Sequence, residues 1–290
     1  ASAAAARVWQ RRQIPRLVRE LRADAVITIN GYISGVPCPQ IVHHQTLYTF
    51  HHRSLLRYAW MGARFFLNAR AGRLALRHAD ANLFISSYLR ARAEEAVPKS
   101  APRNHVVYNG LNPEFQLATS QHPPNEASGA ADRQGDDLSR TICAVQSIDV
   151  HKDHASLLRC FAEVCRALPH PGWRLRVAGG HGDWTPWRNF AKELGVGERV
   201  EFMGQTPLAE LVSLYRSSGC LVFPSVFEGF GIPVIEAMAC GCPVVAVDAT
   251  AVPEIAGSAA LLAPPHRPDE LARHVVALYS DADLRNRQVA

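Results

Sequence analysis

The chain has 290 residues, a length that predicts two domains. With 48% apolar and 20% charged residues it is too apolar for a disordered chain and too evenly broken by charge for a membrane bundle. The formal charge of +5 divides into +10 over residues 1–117 and −5 over 118–290, so the basic half suits an anionic lipid surface or a phosphorylated ligand. In chain order, the first half reads as a helix near 5–22, strands at 25–30 and 40–44, a long helical region at 53–78, a strand at 81–85, a helix at 87–96 capped by Ser86 or Ser87, and a strand at 105–108. Residues 118–139, rich in Pro, Gly, Ser, Ala and Asp without an apolar period, form a linker. The second half opens with a strand at 141–146 and a helix at 154–168 whose Leu157, Leu158, Phe161, Cys165 and Leu168 share one face. A strand at 174–179, a helix at 185–194 and a strand at 199–204 follow. Thr206 then caps a helix with Pro207 in its first turn, and a strand at 220–225 leads to a helix at 232–240 closed by Gly241. A strand at 242–247 and a helix at 268–279 complete the series. Short apolar runs alternating with helical periods predict an α/β fold of two Rossmann-like doubly wound domains, 1–117 and 140–290, joined by 118–139.

Seven cysteines, an odd number without a C-x-x-C pair, argue against a disulfide or zinc framework and for a reducing compartment. No run of about 20 apolar residues is present to span a bilayer. The opening ASAAAARVWQRRQIPR lacks the hydrophobic core of a signal peptide, so the expected location is the cytoplasm.

Doubly wound sheets bind ligands beyond the carboxyl ends of their strands, which directs attention to the loops 147–154, 179–184, 203–206 and 224–231. In the last of these, Gly229 and Gly231 turn the chain and Pro233 starts a helix, whose positive end suits an anion. Glu228 stands in the loop and Glu236 in the helix, tilted back toward its start, so both carboxylates reach one site. An anion site flanked by carboxylates fits a ligand that carries both phosphate and hydroxyls, such as a nucleotide sugar.

The whole string PSVFEGFGIPVIEAMACGCPVVA (224–246) resembles the E-x7-E signature of the family 4 retaining glycosyltransferases, glycosyl transferases group 1, of GT-B fold. Further stretches are similar to that family: VVYNGLNPEF (106–115), AVQSIDVHKDHASLLRCFAEV (144–164), FMGQTPLAELVSLYRSSGCLVFPS (202–225), and VPEIAG (252–257), which looks like the strand after the signature. The resemblance implies retaining transfer of a sugar from a nucleotide-sugar donor to a saccharide or lipid-linked acceptor, with no metal and no cofactor beyond the donor itself. It implies that Glu228 contacts the donor sugar and reacting centre, that the backbone at Phe230, Gly231 and Ile232 meets sugar and diphosphate, that Glu236 binds the ribose, and that Lys152 neutralises the departing diphosphate. Gly179 and Gly204 match donor-binding turns. One departure stands out: many members carry Gly-Arg-Leu where this chain has Gln146-Ser147-Ile148, which leaves Ser147 to bind the diphosphate by hydrogen bonds. His43 and His44 follow a strand where the family often sets a histidine near acceptor and donor sugar, and His44 is assigned to catalysis, although the pair leaves open which ring faces the site. By the same resemblance, the chain lacks the opening strand and glycine-rich loop of the N-terminal domain and the closing helices, so that domain is expected to be incomplete.

His51 and His52 lie near that pair, but adjacent strand residues face opposite ways and no acidic or cysteine ligand is close in sequence, so a metal is not expected. His151 and His154, three apart around Lys152, read as polar loop residues beside a phosphate site. Arg7, Arg11, Arg19 and Arg22 lie near one helical face, and residues 55–78 interleave Arg57, Arg64, Arg70, Arg73 and Arg77 with Trp60, Phe65, Phe66 and Leu74. That amphipathic basic pattern fits peripheral contact with anionic membrane as well as it fits a packed helix with a solvated face. Nucleic-acid binding has no motif to support it. The competing readings are a nucleotide-sugar-binding or assembly subunit without turnover, a nucleotide-sugar epimerase or phosphorylase on the same fold, and a dehydrogenase. The last is opposed by Val234 standing where a G-x-G-x-x-G motif needs its third glycine.

Overall fold

The computed structural model describes residues 3–47, 50, 63–115, 139–180 and 182–289. It divides into two compact units, Ala1–Asn109 and Gly110–Ala290. The first unit therefore ends before the expected residue 117, because Leu111 and Phe115 pack into the second unit's core beside Leu214, Tyr215 and Phe223. The expected linker lies outside the described residues except for Ser139, as do the side chains of Arg7, Arg11, His51, His52, Arg57, Trp60, Arg64, Phe65 and Phe66.

In the first unit, helix Ala3–Glu20 leads to β1 (Val26–Ile29) and β2 (Gln40–His44). Helix Ala63–His78, β3 (Ala81–Phe84), helix Ser87–Ala96 and β4 (Asn104–Val106) follow. The strands form a parallel sheet in the simple order β1-β2-β3-β4. Ser86 caps its helix by accepting from the Leu89 amide at 3.1 Å. The guanidinium of Arg103 donates to the carbonyls of Leu76, Arg77 and Ala79, which the end of helix Ala63–His78 would otherwise leave orphaned. Among the described residues no helix is long and apolar enough to cross a membrane.

A buried polar chain ties the strands of this unit together. The His44 ring lies 3.0 Å from Asn82 Oδ1, Asn82 Nδ2 donates to Asn104 Oδ1 at 3.1 Å, Asn104 Nδ2 donates to Ser100 Oγ at 3.0 Å, and that hydroxyl donates to the Val97 carbonyl at 2.8 Å. Since Asn82 offers His44 an oxygen, the ring must carry its proton on Nε2.

The second unit begins with β5 (Thr141–Val145), helix His154–Ala167, β6 (Arg174–Ala178), helix Thr185–Glu193 and β7 (Val200–Gly204). Helix Leu208–Ser217, β8 (Cys220–Phe223), helix Ile232–Ala239 and β9 (Val244–Val247) come next. The short helix Val252–Ala256, β10 (Ala260–Ala263) and helices Pro268–Ser280 and Ala282–Val289 complete it. The parallel order is β10-β9-β8-β5-β6-β7, so the winding reverses between β5 and β8. One apolar cluster, with Leu157, Phe161, Trp173, Leu175 and Leu271, and a second, with Phe115, Leu214, Tyr215, Phe223 and Val234, make up its core. Strands β8 and β9 are buried at every residue, which explains why CLVF and VVAV are apolar runs without alternation.

Two expectations are overturned here. Pro207, not Thr206, occupies the cap of helix Leu208–Ser217; the Thr206 hydroxyl turns back to donate to the Gly204 carbonyl at 3.1 Å. The segment VPEIAG is a helix with Pro253 in its first turn, and the strand that follows the signature's own β9 is β10.

Candidate active site

Topology alone marks one crevice in the second unit. Strands β5 and β8 keep register over two pairs, Ile142↔Cys220 and Cys143↔Leu221, whereas β5 and β6 stay paired for the whole strand. The loops leaving the carboxyl ends of β5 and β8 can therefore part around a ligand.

These two loops bring Lys152 and Glu228 together. Lys152 Nζ donates to Glu228 Oε1 at 2.5 Å, with the two side chains 13% and 15% exposed, and the ammonium lies 5.6 Å from the centre of the Phe223 ring. The loops are also joined through their backbones, since the Val226 amide donates to the His151 carbonyl at 2.9 Å and Ser225 Oγ donates to it at 3.3 Å. Asp153, in left-handed conformation, caps helix His154–Ala167 and accepts from the Ser156 amide, which sets the direction in which Lys152 leaves the turn.

Downstream of Glu228, Gly231 is the cap of helix Ile232–Ala239 at φ +98°, a conformation open to glycine. Phe230 is buried, while Ile232 is exposed beside it. Glu236 accepts from the Tyr215 hydroxyl at 3.0 Å, and burial pushes its pKa above the usual carboxylate value. On the other flank the Gly179 amide donates to the Gly204 carbonyl at 2.6 Å, and a Cβ on Gly179 would sit 3.3 Å from the Gln146 carbonyl oxygen, so these turns pack backbone against backbone. Ser147 Oγ donates to Asp149 at 2.5 Å at the exposed end of the β5 loop.

The β5 loop is held from below by His154, which burial keeps neutral with a pKa of about 4. Its Nε2 donates to the Ser147 carbonyl at 3.0 Å, and its Nδ1 accepts from the Gln146 amide at 2.7 Å. Rings of Trp184 and Trp187 pack against it. In the first unit the adjacent histidines divide by face: His43 is half-buried, whereas His44 is 1% exposed, stacked on Phe84 at 4.8 Å and held near pKa 4 by burial. The His44 ring, expected to take part in catalysis, is thus enclosed between Phe50 and Phe84 on the interior face of β2.

Both buried histidines make the protein acid-sensitive. Each is neutral when folded but takes up a proton below about pH 6.5 when unfolded, so its stabilisation is complete above that pH and is lost as the pH falls toward 4. The loss is expected to reach about 3 kcal/mol per histidine. Urea unfolding of the chain between about pH 7 and about pH 4.5 measures it; an unchanged midpoint would contradict the neutral burial of both rings.

Sequence reasoning missed three contributors: Tyr215, whose hydroxyl donates to Glu236; His154, which looked like a polar loop residue; and Thr250, whose hydroxyl meets the Glu228 amide. Thr250 follows β9 at its carboxyl end, so the same positional rule applied to that strand would have found it.

Residues 132–290 match the family model for glycosyl transferases group 1. The chain is 38% identical over 86 residues to O-antigen chain mannosyltransferase B of Escherichia coli, covering 30% of this chain and 23% of that protein. It is 32% identical over 155 residues to D-inositol 3-phosphate glycosyltransferase of Corynebacterium efficiens, covering 51% of this chain and 37% of that one. The chain thus spans well under half the length of these two curated relatives. Among solved structures it is similar to WaaG, a glycosyltransferase involved in lipopolysaccharide biosynthesis, with a TM-score of 0.74 and 17% identity over 95% of this chain and 75% of that one. HepE of Anabaena in complex with UDP-glucose gives a TM-score of 0.71 at 17% identity, over 96% and 74%. The folds agree, two Rossmann-like domains of the GT-B type, and the matched segment holds the β5, β8 and β9 loops described above. On that match, which takes in more than half of its residues, the chain belongs to the glycosyl transferases group 1 family.

Proposed function

We propose that the chain carries the donor half of a retaining glycosyltransferase that moves a sugar from a nucleoside-diphosphate sugar to a saccharide or lipid-linked acceptor. The observation that carries this reading is the Lys152–Glu228 pair at the reversal of the winding. Without ligand the two charges satisfy each other. A diphosphate entering over the start of helix Ile232–Ala239 competes for the ammonium and frees the carboxylate to bind sugar hydroxyls. Lys152 then stabilises charge that grows on the leaving diphosphate.

Ser147, Gly179, Gly204 and the backbone at Phe230, Gly231 and Ile232 line the path of nucleotide and diphosphate, and Glu236 takes the ribose hydroxyls. Lys152 and the helix dipole supply the positive charge, so the reaction is proposed to need no metal or other cofactor. The UDP-glucose in one structural neighbour and the sugar transfer named in the relatives support the donor class. Peripheral contact with anionic membrane through the basic first half, where Arg19, Arg22, Arg70 and Arg77 are exposed, belongs to the same reading.

The test is a melting-temperature screen of the chain in EDTA with UDP, GDP and ADP and their sugar conjugates. One nucleotide series is expected to stabilise it, and no shift with any of them would overturn the reading. The raised pKa of Glu236 adds a sign: as pH falls, its carboxylate takes up a proton and stops accepting from hydroxyls at a higher pH than an ordinary glutamate would. Affinity for the stabilising nucleotide is therefore expected to decline on mild acidification, and Glu236→Gln to remove that decline together with most of the affinity.

A further inference from the structure

Thr250 holds a backbone conformation that its side chain disfavours. Its φ is +55°, in the left-handed region where a β-branched residue is an outlier. Such strain persists only where the surroundings over-determine it, and it gathers at working sites. The surroundings here are specific. Thr250 Oγ donates its proton to the Ala249 carbonyl at 2.8 Å, which leaves the oxygen to accept from the Glu228 amide at 2.9 Å. The opposite side of the Glu228 loop is fastened to the β5 loop by the Val226 amide, Ser225 Oγ and the Lys152 ammonium. Three strand-end loops thus meet at one residue, and the Thr250 hydroxyl joins it to the segment after β9 from a strained position.

We propose that Thr250 is a positioning residue for sugar transfer: its left-handed backbone presents the hydroxyl that fixes the Glu228 amide and so sets where the Glu228 carboxylate meets the donor sugar. This rests on the reading of Glu228 as the group at the reacting centre.

Three variants separate the hydroxyl from the strain. Thr250→Val keeps the shape and the strain without the hydroxyl, Thr250→Ser keeps the hydroxyl, and Thr250→Gly removes both. Amide hydrogen exchange at Glu228, read without substrate, is expected to speed up in the valine and glycine variants and to stay slow in the serine variant. The kcat of the first two is expected to fall about 10- to 100-fold with the donor KM held within about twofold, and the serine variant to retain it. The melting temperature of Thr250→Gly should equal or exceed that of the parent, because glycine adopts this conformation freely; lost turnover is then not lost folding. A slow Glu228 amide in the valine variant, or a fast one in the serine variant, would overturn the clamp. If no nucleotide stabilises the unaltered chain, the functional reading falls while the exchange rates still decide whether Thr250 holds the loop.

Discussion

Replacing Glu228 with glutamine is expected to lower kcat for glycosyl transfer by about 10²- to 10³-fold while leaving the fold intact. Glutamine keeps the size of the side chain and one accepting oxygen but removes the negative charge. If the carboxylate faces a sugar carbon that becomes electron-poor as its bond to the diphosphate stretches, that charge is felt more strongly in the transition state than in the bound donor. The loss should therefore fall on kcat more than on donor KM. The variant also leaves Lys152 without its partner. Both side chains are mostly buried, at 13% and 15% exposed, so stranding the ammonium is expected to cost about 2 to 3 kcal/mol. Steady-state kinetics beside a melting curve checks both statements, and a variant with unchanged kcat would remove Glu228 from the reacting centre.

Lys152→Ala should be nearly as damaging, about 10²-fold in kcat, but with a different signature. The ammonium acts on the leaving group, so the deficit should shrink with donors whose leaving group needs less help, and product nucleotide should bind more weakly. Because the two residues form one ion pair, their effects should not add. The double variant is expected to lose less than the product of the single losses, since the second removal takes away a partner already stranded. Strict additivity would mean that the pair seen here has no part in the catalytic cycle.

Much of this was legible in the sequence because it is local. Thr141–Val145, Gln40–His44 and the helix at Ser87–Ala96 follow directly from period and capping. The pairing of Lys152 with Glu228 was reachable because both follow strands and ligands gather at strand ends. What escaped depended on tertiary context. VPEIAG is likened to a strand only through the family resemblance, yet Pro253 has no amide to give a sheet ladder and fits the first turn of a helix. Alternation along QIVHH separates His43 from His44 but cannot say which side is the interior, and only the stack on Phe84 decides it. Phe115 joined the second core although it precedes the linker, because an apolar side chain carries no label for the core it will enter.

The adjacency of β5 and β8 also governs when the site can exist. Their pairing closes a loop that contains β6, β7 and their helices, and Lys152 meets Glu228 across 76 positions of sequence. Such long-range contacts raise contact order and come late, after the entropy of closing that loop has been met. A chain emerging from the ribosome through β7 holds Lys152 but has nothing to pair it with, and gains the crevice only when β8 inserts beside β5. Competence to bind nucleotide would then report on the completed domain, and partly made chains would not sequester the donor pool.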